Sequence, residues 1–349
     1  MRAEQTPKEG DLHMAYETED QETQYCFPAI NSSCIKGKRS IHEYNFMYMF
    51  LSLLSAWTVF LNLLVIISIS HFKKLHTPTN MLILSLAVAD LLVGLIVIPI
   101  EGIKLIETCW FFGDTYCGLF VTISGLLLSA SLVHLILIAV DRYVAVCYPL
   151  LYPQKITITK TLMSICICWF SCLVYNFAIV FNNRYFDTSH RTVCYGKCIV
   201  MFSPAWSLTD LTLSFIFPCI VIITLYLRIF YVVHRQVKAI NSLVKGRKKV
   251  LESSARRKSE SKAALTLGNV VTVYLLCWIP YYILSVTEQT VISSTTITIL
   301  TWALYINSGL NPLIYALFYS WFKLSIKHIL TLKILQSASS LLDIFADHS

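Results

Sequence analysis

The sequence has few charged residues. Asp, Glu, Lys and Arg make up 14% of its 349 residues, hydrophobic residues make up 56%, and the mean hydropathy is +0.63. Soluble domains carry about 25% charged and about 45–50% apolar residues. A core of ordinary size cannot bury so much apolar surface, so lipid must cover much of it. The shortage of charge therefore excludes an ordinary soluble protein and predicts one that spans a membrane.

Two other signals are missing. The sequence shows no internal repeat, which argues against a transporter built from repeated halves. It also shows no nucleophile–base pair and no cluster with metal-ligand spacing, so we do not expect an enzyme.

Seven apolar stretches are long enough to cross a bilayer, which takes roughly 20 apolar residues per helix. They are residues 45–70, 80–103, 115–146, 160–181, 205–232, 264–287 and 297–319. Lys and Arg concentrate between spans 5 and 6, with smaller groups after spans 1, 3 and 7. The positive-inside rule makes these segments cytoplasmic and the N-terminus extracellular. The net charge of +8 thus indicates topology, and no nucleic-acid partner is expected.

The predicted fold is all-α, a seven-transmembrane helix bundle with a short amphipathic eighth helix. Residues 1–44 form an extracellular segment, 45–319 the bundle, and 320–349 the eighth helix and cytoplasmic tail. Asn31-Ser32-Ser33 matches the acceptor pattern for N-glycosylation on the outer side. Six outer cysteines permit fifteen disulfide pairings, and the sequence leaves their pairing open.

Polar residues, aromatics and prolines inside the spans follow a known order. They are Asn62, Ala89-Asp90, Cys117, Asp141-Arg142-Tyr143, Trp169, Pro218 with Tyr226, Cys277-Trp278-Ile279-Pro280, and Asn311-Pro312-Leu313-Ile314-Tyr315. Over about residues 45–335 the chain resembles the rhodopsin-like G-protein-coupled receptors. The run from Asn307 to Phe322 resembles the trace-amine-associated receptors more narrowly, and residues 71–80 and 109–114 agree. That family consists mostly of olfactory receptors for volatile amines.

The ligand site departs from the usual pattern of this family. Amine receptors of this type usually carry an Asp seven residues after the outer cysteine of span 3, and here that position is Ser124. Asp210 in span 5 lies eight residues before Pro218, about 12 Å along a helix. Asp210, Ser214 and Pro218 recur every four residues, which predicts a common face. If Pro218 faces the bundle, so does Asp210.

The chain is similar to fish members of the family that lack the span 3 Asp and carry one in span 5. This resemblance implies that Asp210 binds the ligand's ammonium group. Two alternatives stay open: Asp210 pairs with a neighbouring helix or surface water, or the ligand is not an amine, as Ser124 would allow. We expect an aromatic wall around the ligand, formed by Trp278, Tyr281, Tyr282, Trp302 and Tyr305. Glu101 and Glu288 are further outer acids. We interpret them as solvated charges at the rim, with contact to the second amine of a diamine as the alternative.

The resemblance also implies a switch. Arg142 would pair with Asp141 and with Glu260, while Pro218, Tyr226, Pro312 and Tyr315 would act in the conformational change. Asp90, Ser131, Asn307 and Asn311 resemble a buried sodium site that favours the inactive state, and no other cofactor is expected. A retinal photoreceptor is excluded, because residues 297–319 contain no lysine.

Partners and disulfides follow from the same resemblance. It implies a plasma-membrane receptor that couples to a heterotrimeric G protein, of the stimulatory olfactory type that raises cyclic AMP, and that meets receptor kinases and arrestin. Membrane lipids surround it. It implies a Cys117–Cys198 disulfide and a second from Cys194 to Cys34 or Cys26, and the outer cysteine left over would pair with Cys109.

Overall fold

The computed structural model describes residues 24–182, 194–199, 204–243, 268, 272–280, 282–283, 294–318 and 320–335. The chain runs through α1 (Ile41–His71), α2 (Pro78–Leu92, Val93–Val97 and Ile98–Glu107), α3 (Asp114–Cys147), α4 (Ile158–Asn182) and α5 (Pro204–Leu211, Thr212–Ile216 and Phe217–Leu243). The helical residues 272–280 and 282–283 belong to α6. Next come α7 (Ser294–Phe318) and α8 (Ser320–Leu330).

Within the described residues, five helices are long and apolar enough to cross a membrane, and they are α1 to α5. They coincide with predicted spans 1 to 5 and extend beyond them. The clearest extension is α5, which continues to Leu243, past the predicted end at residue 232. Hydropathy detects only the part of a helix that lies in lipid, whereas backbone hydrogen bonds continue into water.

The first helix starts earlier than predicted because its N-terminus is capped. The Ser40 hydroxyl accepts a hydrogen bond from the Glu43 N–H at 3.2 Å, and the Glu43 carboxylate accepts one from the Ser40 N–H at 2.9 Å. This reciprocal capping box satisfies two N–H groups that the helix leaves without partners. The helix therefore begins at Ile41, before the predicted start of span 1 at residue 45.

Two transmembrane helices each contain one π turn, at Val93–Val97 in α2 and Thr212–Ile216 in α5. Each π turn ends shortly before a proline, Pro99 or Pro218. Proline lacks an N–H, and its ring clashes with the carbonyl four residues earlier. Widening the helix by one residue relieves that clash. Such π turns are frequent near functional sites.

Buried polar side chains tie the helices together. In lipid an unpaired donor is costly, so these groups bond across helix interfaces. The bonds are Asn62 Nδ2 to the Ser308 carbonyl at 3.0 Å (α1–α7), Trp169 Nε1 to Ser85 Oγ at 3.0 Å (α4–α2), and Asn176 Nδ2 to Ser129 Oγ at 3.1 Å (α4–α3). They join α1 to α7 and join α4 to both α2 and α3.

The last described helix, α8, has an apolar and a basic side. Trp321 and Phe322 are buried, whereas Lys323 and Lys327 are exposed. The His328 ring lies 6.3 Å from that of Phe72 at the end of α1. This division suits a helix lying on a membrane surface with its lysines turned to water.

Candidate functional site

Asp210 is half-buried on α5 and is held by two hydroxyl groups. Tyr175 on α4 donates to Asp210 Oδ1 at 2.8 Å, and Ser214 donates to the same oxygen at 2.8 Å. The Tyr175 and Ser214 oxygens lie 3.3 Å apart. Among the described residues no cation pairs with this carboxylate, and no donor reaches Oδ2. The site therefore presents one occupied and one open carboxylate oxygen.

Tyr175 is a residue that the sequence analysis missed. One alternative was that Asp210 pairs with a neighbouring helix. Tyr175 of α4 is such a partner, and it bonds to Oδ1 alone. Tyr175 carries a hydroxyl group within the apolar run of α4, and this is the signal that could have identified it. Tyrosines in such spans also commonly serve only for packing between helices. Only the packing of α4 against α5 brings it to Asp210, 35 residues later in the chain.

The π turn alters the predicted helix face. A four-residue repeat of Asp210, Ser214 and Pro218 assumes a regular α-helix, whereas Thr212–Ile216 is a π turn. Ser214 still bonds to Asp210, and Pro218 is buried. The regular spacing thus predicted the Asp210–Ser214 neighbourhood, but it does not describe the helix between Asp210 and Pro218.

A stack of four aromatic rings joins α5 to α6. Phe215, next to Ser214, stacks on Tyr282 at 4.3 Å between ring centroids. Tyr282 stacks on Trp278 at 5.9 Å, and Trp278 stacks on Tyr274 at 5.3 Å. Trp278 and Tyr282 were predicted ligand contacts, whereas Phe215 was not. Tyr281 lies outside the described residues.

The other predicted ligand contacts belong to a second group. Trp302 stacks on Phe50 of α1 at 5.0 Å, and Trp302 and Tyr305 pack in a buried cluster with Cys117. The Ser124 hydroxyl is buried and has no hydrogen-bond partner among the described residues. Among the predicted aromatic contacts, Trp278 and Tyr282 thus pack with Phe215 of α5, whereas Trp302 and Tyr305 pack with residues of α1 and α3.

The outer acid Glu101 is already paired. Lys104, one turn later on α2, lies 2.7 Å from its carboxylate. An ammonium group at Glu101 would have to displace this lysine. Glu288 lies outside the described residues.

A buried carboxylate, Asp90, lies at the centre of the bundle with complete burial. Ser131 Oγ donates to Asp90 Oδ1 at 2.8 Å, and Asn311 Nδ2 donates to Oδ2 at 2.8 Å. The amide oxygens of Asn307 and Asn311 are buried without a partner among the described residues. A carboxylate and amide oxygens without partners among the described residues are the kind of oxygen ligands that a hard cation prefers. These residues fit a sodium ion.

Near the C-terminal end of α3, Arg142 lies 2.6 Å from the Asp141 carboxylate. Asp141 also accepts hydrogen bonds from Thr79 at 2.8 Å and from Tyr152 at 2.9 Å. Tyr152 belongs to a short helical turn, Tyr152–Lys155. Thr79 and Tyr152 were not predicted as partners of Asp141, because only the packing of separate segments brings them to it.

The structure describes some of the other residues that were predicted to act in the switch. Tyr143 lies near Tyr148 with 5.9 Å between ring centroids. Tyr226 packs against the buried cluster of Val146, Ile229 and Val233. Pro312 lies inside α7. Glu260 lies outside the described residues, as does the side chain of Tyr315, so the Arg142–Glu260 pair stays a prediction.

Three disulfides lie among the described residues, and they select from the pairings that the sequence left open. They join Cys117 to Cys198, Cys34 to Cys194, and Cys26 to Cys109. Two of them attach the N-terminal segment to the outer loops. Asn31 is exposed in a turn of that segment.

Polar contacts add to this attachment. Lys36 lies 2.7 Å from the Glu107 carboxylate, which also accepts a hydrogen bond from Tyr48 at 2.6 Å. The bond to Glu107 raises the pKa of the Lys36 ammonium. Gly37 N–H donates to Thr108 Oγ1 at 2.6 Å. The segment before α1 is thus fixed over the end of α2.

Comparison with known proteins identifies the family. The family model described as 7 transmembrane receptor (rhodopsin family) matches residues 61–315. Trace amine-associated receptor 13c of Danio rerio is 40% identical over 330 residues, which cover 93% of this chain and 96% of that protein. Trace amine-associated receptor 6 of Homo sapiens is 38% identical over 334 residues, covering 93% and 96%. Trace amine-associated receptor 9 of Rattus norvegicus is 39% identical over 333 residues, covering 93% and 98%.

The matched range contains the polar, aromatic and proline residues that carried the resemblance, from Asn62 to Tyr315. It also contains Asp210 and the residues that bond to it. The chain therefore belongs to the trace amine-associated receptors of the rhodopsin family, and it is a multi-pass membrane receptor with the seven-transmembrane fold, not an enzyme.

Proposed function

We propose that this receptor senses amines and that Asp210 binds the ammonium group of the ligand. The observation that carries the proposal is the half-buried carboxylate whose Oδ1 is held by Tyr175 and Ser214 and whose Oδ2 meets no donor among the described residues. An ionised carboxylate in a low-dielectric bundle is costly without a cation. A protonated amine supplies both the charge and a hydrogen bond. The names of the similar receptors support an amine as ligand.

The aromatic stack suggests how binding would reach the rest of the bundle. Phe215 adjoins Ser214 and stacks on Tyr282, which links it to Trp278 on α6. An amine bound at Asp210 would contact both helices, since aromatic faces attract ammonium groups by roughly 0.5–2 kcal/mol. A ligand shifts a two-state equilibrium only by its differential affinity for the two states. We propose that the contacts between α5 and α6 differ between the two states, so that the ligand binds one state more tightly than the other.

We place the receptor in the plasma membrane with its N-terminus outside. The three disulfides of the N-terminal segment and outer loops suit an oxidising compartment, and the basic loop between α5 and α6 suits the cytoplasm. The cytoplasmic partner is a heterotrimeric G protein, of the stimulatory olfactory type that raises cyclic AMP. Receptor kinases and arrestin act on the same face.

The charge of the ligand provides the direct test. Cells expressing the receptor are challenged with primary amines, diamines and polyamines, each beside the alcohol of the same carbon skeleton. Cyclic AMP and the dissociation of several G-protein heterotrimers are recorded together. We expect responses to amines and none to the alcohols, because only the ammonium can pair with Asp210. Responses to alcohols or other neutral compounds alone would favour a non-amine ligand and the unpaired Ser124 hydroxyl as its contact.

A sodium effect is expected from the Asp90 centre. Asp90, Ser131, Asn307 and Asn311 would hold the ion, which supplies a positive charge that stabilises the inactive arrangement. Replacing sodium with N-methylglucamine at constant ionic strength should lower the EC50 of an activating amine several-fold. Asp90→Asn should remove the difference between the two salts. An equal shift in the wild type and the variant would show that sodium acts elsewhere.

A further inference from the structure

The two hydroxyl groups at Asp210 both donate to the same one of its two carboxylate oxygens. An ionised carboxylate offers about four lone-pair positions, two on each oxygen. Tyr175 and Ser214 both donate to Oδ1 at 2.8 Å, so both positions on that oxygen are filled. Oδ2 keeps its capacity, because no donor among the described residues reaches it. The carboxylate therefore offers a cation one oxygen and not two.

The two donors hold this arrangement from different helices. Tyr175 approaches from α4, whereas Ser214 lies within the π turn of α5 itself. Their oxygens are 3.3 Å apart, so each limits the movement of the other. Rotation of the Asp210 side chain would break both bonds at once. The orientation of the carboxylate is thus set before any ligand arrives.

Cations differ in how many carboxylate oxygens they need. A guanidinium group is a planar fork that binds a carboxylate through two parallel hydrogen bonds, one to each oxygen. An ammonium group is a compact point charge that bonds well to a single oxygen. A carboxylate with only one oxygen free to accept can therefore bind an ammonium group fully, whereas a guanidinium group forms only one of its two hydrogen bonds.

Building on the proposed function, we propose that Tyr175 and Ser214 are positioning residues that make the Asp210 site select ammonium ligands over guanidinium ligands. They act by filling Oδ1, so that a guanidinium can form only one of its two bonds. The ligand class that follows is alkylamines and arylalkylamines, with alkylguanidines of the same length discriminated against.

The test compares matched ligand pairs on matched variants. The probes are primary alkylamines of increasing chain length and 2-phenylethylamine, each paired with the guanidine of the same carbon chain. The variants are Tyr175→Phe, Ser214→Ala and the double variant. Ser171→Ala and Thr212→Ala serve as controls. Each removes a hydroxyl from one of the same two helices, and that hydroxyl donates to a carbonyl of its own helix, at 3.0 and 2.8 Å.

The quantity measured is the ratio of the guanidine EC50 to the amine EC50 at equal surface expression. We expect the double variant to lower this ratio by roughly 10-fold, which corresponds to about 1.4 kcal/mol, because Oδ1 becomes available to the second N–H of the fork. Each single variant should lower it less, and the controls should leave it unchanged. A merely structural role would weaken both ligands equally and leave the ratio constant.

The outcomes separate this inference from the proposed function. An unchanged ratio in the double variant, with amine responses that still require Asp210, would overturn the selectivity role alone. A ratio that falls equally in the controls would do the same. Amine responses that persist in Asp210→Asn, or a wild-type receptor that answers none of the probes while a co-expressed control receptor responds, would overturn the proposed function and this inference with it.

Discussion

Replacing Asp210 with Asn is expected to raise the EC50 of an activating primary amine by roughly 30-fold to several thousand-fold, corresponding to about 2–5 kcal/mol for removing one partner of a hydrogen-bonded charge pair. The ligand would keep its positive charge but lose the negative partner. Asn has nearly the same size as Asp, and its amide oxygen can still accept from Tyr175 and Ser214. The helix and the two hydroxyls should therefore stay in place. Concentration–response curves at matched surface expression measure the effect.

The control for this variant is a second carboxylate that already has a partner. Glu101→Gln removes a negative charge from the outer part of α2, where Lys104 lies 2.7 Å away. Its effect on the amine EC50 should be small, because Lys104 already neutralises Glu101. If Glu101→Gln lost most of the amine response while Asp210→Asn kept it, the ammonium site would be on α2, and its assignment to Asp210 on α5 would be wrong.

Breaking the Cys117–Cys198 disulfide is expected to remove most of the receptor from the cell surface. This bond attaches the outer end of α3 to the loop before α5, across 81 residues of sequence. Loss of a native disulfide typically costs about 2–5 kcal/mol, a large part of the stability of most folded proteins. Cys117→Ser, Cys198→Ser and the double variant should have the same effect, because each removes the same bond. Flow cytometry of an N-terminal tag and thermal unfolding of the purified receptor measure it.

The other two disulfides provide the comparison. Cys26–Cys109 and Cys34–Cys194 attach the N-terminal segment, which is also held by the Lys36–Glu107 ion pair. Paired Ser variants of either bond should therefore lose less surface expression than Cys117→Ser. A double variant of Cys117 and Cys198 that is clearly worse than either single variant would show that the two cysteines do not act as one bond.

The helices illustrate how much of the fold follows from local sequence. The first five spans are predicted because about 20 apolar residues in a row carry their preference for lipid wherever they lie. The ends were less well predicted. The Ser40–Glu43 capping box sets the start of α1, and α5 continues beyond the apolar run to Leu243. The π turns before Pro99 and Pro218 were not predicted, because a periodicity argument assumes a regular helix.

The sequence by itself determined the helical class, the order of the spans, the family and the position of Asp210, because hydropathy and the spacing of motif residues are properties of neighbours in the chain. Only the tertiary structure decided which hydroxyl from α4 meets Asp210, whether Cys34 or Cys26 pairs with Cys194, and that Trp302 stacks on Phe50 of α1. Those contacts join residues far apart in sequence. They depend on how helices pack side by side, and no local pattern encodes the atoms that meet across that interface.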